Sequence, residues 1–224
     1  MAQKYVIITA GGRGSRMGAA IPKQFLILNG LPVIMHSINA FLDHSADIKV
    51  IVALPQEYFN TWKTLCSEYD FKANHQLCAG GETRFQSVKN GLSLVDNEGI
   101  VAVHDAVRPL VSPALIKKCF IETSEKGNAV PVVHLKDSVR EVNANDNKPI
   151  QRERLRLVQT PQVFMAGILK KAYQQENNIA FTDDASVAES QGVKINLIEG
   201  DDKNIKITTP DDLIIAEALM KEKT

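Results

Sequence analysis

The sequence predicts an α/β fold: a doubly wound, mostly parallel sheet of Rossmann-like character with a β-arm projecting from it. Three observations carry this. Apolar, β-branched runs recur at residues 5–9, 48–54, 100–104 and 129–133. Between them, apolar residues repeat at the spacing of a helix face. From Leu135 to Arg156 the alternation breaks into a charged, extended stretch around Asn143-Ala144-Asn145-Asp146-Asn147. A length of 224 residues suits one domain, so we expect a single unit over 1–224 with 135–157 as the arm.

The elements follow in order. Tyr5-Val6-Ile7-Ile8-Thr9 reads as a buried strand ending at Gly11-Gly12. Ile34, Ile38, Phe41 and Leu42 predict a helix over 32–44. A second strand fills 48–54. Pro55 opens a helix striped by Phe59, Trp62, Leu65 and Tyr69. A short strand at 76–79 leads to Gly80-Gly81, which opens a helix carrying Phe85, Val88, Leu92 and Val95 on one face. After the strand at 100–104, Ser112-Pro113 starts a helix that Gly127 stops. Beyond the arm, helices are expected over 165–175 and 183–191 and strands over 193–198 and 205–208. Thr209-Pro210-Asp211-Asp212 then starts a last helix reaching about Lys221.

Composition narrows the function. Lys plus Arg and Asp plus Glu both total 26, so net charge is zero. A broad nucleic-acid or membrane-surface binder is disfavoured. Cys66, Cys78 and Cys119 form neither a Cys-x-x-Cys pair nor an even framework, and read as reduced thiols. Residues 1–10 hold one Lys and a six-residue apolar stretch, short of a secretory signal. The longest uncharged stretch, 24–42, is interrupted by Asn29, Gly30, Pro32, His36 and Asn39, so no span is expected. We expect a cytoplasmic protein.

One segment departs from neutrality. Residues 1–42 contain no acid but hold Lys4, Arg13, Arg16 and Lys23. Within them lies Gly11-Gly12-Arg13-Gly14-Ser15-Arg16-Met17-Gly18, just past the first strand, where such sheets bind ligands. Glycines let successive N–H groups curl around phosphate. The loop lacks the Lys-Ser/Thr of a Walker A motif. It also fails the dinucleotide fingerprint, because Met17 stands at the third glycine and no acid follows until Asp43. Hydride transfer is therefore disfavoured. The added cations suit a site that transfers a phosphoryl or nucleotidyl group, where charge builds on phosphorus oxygens.

Several motifs together resemble a known family. The glycine loop with Pro22-Lys23-Gln24-Phe25 is similar to the nucleotidyltransferases that act on sugar and polyol phosphates. With His104-Asp105-Ala106-Val107-Arg108-Pro109, Thr160-Pro161-Gln162-Val163-Phe164, Thr182-Asp183-Asp184-Ala185-Ser186 and Asn204-Ile205-Lys206-Ile207-Thr208, it most resembles the 2-C-methyl-D-erythritol 4-phosphate cytidylyltransferase family. Ala10-Gly11-Gly12, in place of Ala-Ala-Gly, also resembles the ribitol 5-phosphate cytidylyltransferases, while the Asp-Asp-Ala-Ser run sides with the erythritol enzymes. Ser138 stands where a Thr is usual and keeps the hydroxyl.

The resemblance implies the following roles. Arg16, Lys23 and Lys206 surround the α-phosphate. Ala10, Gly11, Gly12 and Gly14 cradle CTP, and Gly81, Glu82 and Ser87 meet the cytosine. Asp105 and Ala106 take ribose or acceptor, with Arg108, Ser138, Arg152, Thr160, Thr182 and Lys206 on the polyol phosphate. Mg²⁺ rides mainly on the CTP phosphates, with Asp105 as a candidate oxygen. The partner is a second copy, bound through the arm. The plain readings stand beside these: Glu82 favouring a helix dipole, Thr182 capping a helix, Lys206 on an exposed strand, and Arg152, Arg154 and Arg156 on one face of a charged edge strand. A non-catalytic nucleotide sensor is the remaining reading from another class.

Overall fold

A computed structural model describes residues 2–11 and 21–221. The strands are β1 (Lys4–Thr9), β2 (Ile27–Leu28), β3 (Leu31–Pro32), β4 (Lys49–Leu54), β5 (His75–Ala79), β6 (Ile100–Asp105), β7 (Asn128–His134), β8 (Val139–Val142), β9 (Asn147–Ile150), β10 (Arg156–Val158), β11 (Gln162–Met165) and β12 (Leu197–Glu199). The helices are α1 (Val33–His44), α2 (Phe59–Glu68), α3 (Arg84–Leu92), α4 (Pro113–Lys126), α5 (Ala166–Ala172), α6 (Asp184–Glu189) and α7 (Pro210–Lys221).

The main sheet runs β10-β7-β11-β6-β1-β4-β5, with β12 also paired to β7. The pairs around β1 are parallel, while β10 and β11 run antiparallel to their neighbours. The chain leaves β1 on one side for β4 and β5, then returns on the other side as β6. The crevice at the carboxyl ends of β1 and β6 is therefore a topological switch point.

Both faces of the sheet are covered, so its central strands carry apolar residues in consecutive runs rather than at alternate positions. Val6 and Ile8 of β1, with Val50 and Val52 of β4, pack with Phe41, Trp62, Ile116 and Phe120 on the α1, α2 and α4 side. Tyr5, Ile7 and Ile51 face Phe85, Val88, Leu92, Leu169 and Val187 on the α3, α5 and α6 side. A smaller cluster, including Leu28, Val33, Val107, Ile207 and Ala216, seats α7. Ser112 caps α4 by accepting from the Leu115 N–H, and Gly127 ends it at φ 86°, as the sequence implies.

Four differences from the sequence expectations matter. The helix expected at Gly80-Gly81 begins only at Arg84, with Thr83 as its cap. Residues 80–82 thus form a turn ahead of the helix. Residues 205–208 are not a strand: Ile207 N–H reaches Val107 O at 2.9 Å, and Thr208 N–H donates to Asp212 Oδ2 at 2.8 Å. Arg152 and Arg154 lie in a short 3-10 turn rather than on a strand face, because residues 152–154 close on themselves before β10 rejoins the sheet. Finally, β10 and β11 were not anticipated as strands. They pair with β7 as one interrupted strand. Between Val158↔Val132 and Val163↔Ala129, five residues advance against three. The surplus, at 159–161, is a bulge that pushes Thr160 toward β6.

β8 and β9 pair only with each other, through a turn in which Asn143 N–H donates to Asp146 O. Their residues are mostly exposed, Val142 among them.

The α3–β1 contact is tight enough to test. A Cβ on Gly91 would stand 2.8 Å from Ile7 Cγ2, and Ile7 is fully buried. Gly91→Ala should destabilise the protein by roughly 1–3 kcal/mol through overpacking, read as a lowered urea midpoint. An unchanged midpoint would mean that α3 can shift off the sheet.

Candidate active site

A cavity of about 650 Å³ opens at the carboxyl ends of the parallel strands. Thr9 ends β1 and leads to Ala10 and Gly11, Gly80 to Arg84 follow β5, and Asp105 ends β6 and leads to Ala106 and Val107. Lys23, Gln24, Ser87 and Lys206 complete much of the wall. Remote stretches of sequence thus meet in one crevice.

Each side is fixed by ordinary bonds. Ala10 N–H donates to Ala53 O, and buried Gln24 donates from Nε2 to Ala10 O at 2.8 Å. Gln24 therefore ties the Lys23 segment to the end of β1. Ala106 N–H donates to Thr9 O, and Ser37 Oγ donates to Ala106 O. In the turn after β5, Ser87 Oγ accepts from Gly81 N–H and donates to Thr83 O, both at 3.0 Å. Gly11 lies against that hydroxyl: a Cβ there would be 3.4 Å from Ser87 Oγ.

The charged centre is Asp105. Lys206 Nζ lies 2.8 Å from its Oδ2, Arg108 Nε 3.6 Å from the same oxygen, and Arg84 Nε 3.7 Å from Oδ1. Burial alone would raise this carboxyl, but Arg84, then Lys206 and Arg108, hold it well below the usual range. Arg84 itself forks onto buried Asp184, Nη1 to Oδ1 at 3.0 Å and Nη2 to Oδ2 at 2.6 Å. Tyr173 Oη adds a 2.7 Å hydrogen bond to Asp184. Arg108 is largely buried and donates from Nη1 to Asn204 O at 2.7 Å. It sits behind Asp105 rather than on the cavity wall.

Behind the site lies a chain of hydrogen bonds that settles a tautomer. Asp105 N–H donates to Thr160 Oγ1 at 3.1 Å, leaving the Thr160 hydroxyl to donate to His104 Nδ1 at 3.1 Å. His104 Nε2–H then donates to Arg108 O at 3.1 Å. Burial pushes this imidazole down to about 4, which keeps it neutral.

Of the residues singled out from sequence, the cavity gathers Ala10, Gly11, Lys23, Gly81, Glu82, Ser87, Asp105, Ala106 and Lys206. Gly12, Gly14 and Arg16 lie outside the described residues. Thr160 is buried behind Asp105 and off the cavity wall. Ser138, Arg152 and Thr182 are exposed and elsewhere. Arg152 donates from Nη1 to Lys136 O at 2.6 Å. The cap of α6 is Asp183, not Thr182, with Ser186 completing a capping box. Among the described residues, no group of three or more His, Cys, Asp or Glu gathers to hold a metal.

The model of the family described as IspD, 2-C-methyl-D-erythritol 4-phosphate cytidylyltransferase, matches residues 4–222. The chain belongs to this family. It is 50% identical to the enzyme of that name from Azobacteroides pseudotrichonymphae over 222 residues, covering 98% of this chain and 100% of that one. It is 47% identical to the one from Bacteroides fragilis over 214 residues, 96% and 98% of the two chains. The crystal structure of 2-C-methyl-D-erythritol 4-phosphate cytidylyltransferase from Thermus thermophilus superposes with a TM-score of 0.78 at 30% identity, covering 99% of this chain and 100% of that one. That from Francisella tularensis gives 0.79 at 34%, covering 97% and 99%.

For this cytidylyltransferase family member, sequence reasoning missed Arg84, Asp184 and Tyr173. Asp184 sits in the Thr182–Ser186 motif and Arg84 three residues past Gly81, but their meeting spans 100 residues of chain.

His104 gives a pH test. Its folded-state pKa lies below the ordinary 6.5, so the neutral ring stabilises the fold fully above that value. That stability is lost as pH falls from about 6.5 to about 4. The loss should be on the order of 3 kcal/mol. His104→Gln should lose distinctly less over the same window in urea titrations. Equal losses would show that the ring does not resist protonation.

Proposed function

We propose that this protein transfers the cytidylyl group of CTP to 2-C-methyl-D-erythritol 4-phosphate, releasing pyrophosphate, in non-mevalonate isoprenoid precursor synthesis. The observation that carries the reading is the cavity itself: its wall joins the glycine turn, Ser87 and Lys23 with Arg84 and Lys206, the two wall cations paired with Asp105. It lies in a chain matched over nearly its full length by relatives named for that activity. They disfavour ribitol 5-phosphate as acceptor. A sensor would need the nucleotide cradle but not the converging cations.

The chemistry asks little of the protein beyond placement and charge. An oxygen of the acceptor phosphate attacks the α-phosphorus in line, a new P–O bond forms, and the bond to the β-phosphate breaks with its electrons leaving on pyrophosphate. A phosphate monoester has its second pKa near ~6, so it arrives mostly dianionic and needs no general base. Catalysis is then alignment plus neutralisation. Lys23 and Lys206 lie on the cavity wall to meet the phosphates, and Arg16 joins them in this reading. Gly81, Glu82 and Ser87 on the same wall would take the pyrimidine.

Magnesium belongs to the same proposal. This ion takes one or two carboxylates and leaves the rest of its shell to water and phosphate. The Asp105 carboxylate fits that donor set, with the triphosphate supplying most oxygens. Bound there, the ion would spread charge from the bridging oxygens. Cytoplasmic residence is supported by three free thiols. No described helix is long and apolar enough to cross a membrane. The zero net charge speaks against nucleic acid as a partner.

Pyrophosphate release on mixing protein, CTP and 2-C-methyl-D-erythritol 4-phosphate tests the reading. Release with ribitol 5-phosphate alone, or with neither, would overturn it. In that assay Lys23→Ala should lower kcat by ~10²–10³, the usual effect of removing one charge partner of the transition state. A kcat within threefold of wild type would remove Lys23 from the α-phosphate.

The arm carries the last part of the proposal. Ser138 and Arg152 lie off the cavity wall of their own chain. They would serve the site of a second copy in a homodimer joined through β8 and β9. A fork of N–H groups on phosphate is geometric as well as electrostatic, so Lys would replace Arg152 poorly. Mixing inactive Arg152→Ala with inactive Lys23→Ala should restore part of the activity, because one site of each mixed dimer keeps both residues. No return, with subunit exchange demonstrated, would place Arg152 outside the partner's site.

A further inference from the structure

Arg84 has no role in the transfer as described above, yet it is the most firmly held cation of the cavity. Both Nη groups are committed to Asp184, at 3.0 and 2.6 Å, and Asp184 has no exposed surface. Tyr173 holds the same carboxylate at 2.7 Å. Burial works against the guanidinium charge, but Asp184 and then Asp105 outweigh it and raise its pKa above the usual arginine value. What remains of Arg84 is Nε, which points toward Asp105.

Lys206 is the contrary case. It makes the shortest contact to Asp105, 2.8 Å, but its side chain is 41% exposed and lies on the cavity wall. A triphosphate entering the cavity competes with Asp105 for that ammonium. Were Lys206 the only partner of Asp105, its departure would strand a buried carboxylate, which is strongly unfavourable. Arg84 and Arg108 stay behind, anchored by Asp184 and by Asn204 O respectively.

We propose that Arg84 is a positioning residue: locked to Asp184, it is the standing counter-charge on Asp105 that lets Lys206 leave that carboxylate for the phosphates of the bound nucleotide. The assignment rests on reading the cavity as a CTP site. It makes a demand that a merely structural ion pair does not, namely that Lys206 and Arg84 be coupled in nucleotide affinity.

Calorimetric CTP dissociation constants for four proteins test this. They are wild type, Lys206→Ala, the paired variant Arg84→Gln with Asp184→Asn, and all three changes together. The paired variant keeps the buried contact neutral and near-isosteric, so it is chosen over Arg84→Gln alone. Lys206→Ala should weaken CTP about tenfold in wild type but at most about threefold in the paired background, where Lys206 already stays on Asp105. Equal losses in the two backgrounds would overturn the assignment and leave Arg84 a structural residue. Urea midpoints report folding. If the paired variant does not fold, Tyr173→Phe loosens Asp184 from outside the cavity, and its coupling to Lys206→Ala is read the same way. Wild-type protein that binds no CTP would overturn the functional reading and this assignment together. Tight CTP binding with additive losses overturns this assignment alone.

Discussion

A single buried carboxylate organises the site. Asp105 ends a strand whose every residue is buried, at the crevice where the sheet changes direction. A charge in such a place persists only when it is paired and hydrogen-bonded. Its partners come from one adjacent and two remote stretches: Arg108 from the turn after β6, Arg84 from the first turn of α3, and Lys206 from the coil before α7. Its backbone N–H is taken by Thr160 from the bulge before β11. The demand for neutrality at one oxygen pair thus draws four parts of the chain together.

The network does not stop at these contacts. Each cation that serves Asp105 from behind has a second anchor, Asp184 for Arg84 and Asn204 O for Arg108. Asn204 is itself buried and donates to Thr160 O at 2.8 Å, which ties the coil before α7 to the bulge. Helix α6 joins through Asp184 and through Gln162, whose amide oxygen accepts from Ala185 N–H. Helix and coil ends that would otherwise be among the loosest parts of such a fold are here fastened to the sheet by polar contacts.

The strands buried on both faces were legible because their sequences are unbroken apolar runs, and α4 was legible because both its ends carry their own signals, Ser112 and Gly127. The cavity wall was largely legible too, because glycines, Lys23 and the segment after His104 lie where strands end. What failed failed for a reason. Residues 162–165 read Gln-Val-Phe-Met, too short and too mixed for a strand by pattern, yet β6 and β7 on either side enforce one. Residues 205–208 alternate like a strand but find no ladder, because buried Asn204 turns the segment across the strand ends instead. The Arg84–Asp184 pair left no mark at either position alone. Its function lies in the meeting of residues that nothing in local sequence connects.

The arrangement also explains why this site needs no acid or base of its own. Among the described residues, His104 is the imidazole bonded into the Asp105 network, and it serves structure: both nitrogens are bonded, and burial keeps it neutral. Asp105 is held ionised by its neighbours and has no proton to give. Arg84, Arg108 and Lys206 against Asp105 and Asp184 leave one positive charge in excess in this network. A polyanionic ligand completes the balance that the protein leaves open, and the transfer of a nucleotidyl group between two phosphates redistributes negative charge without requiring a proton to move. In the proposed reading, the surplus that is a cost in the empty crevice is what would bind the substrate, with the fastened arginines keeping Asp105 paired while the exposed lysine turns to the phosphates.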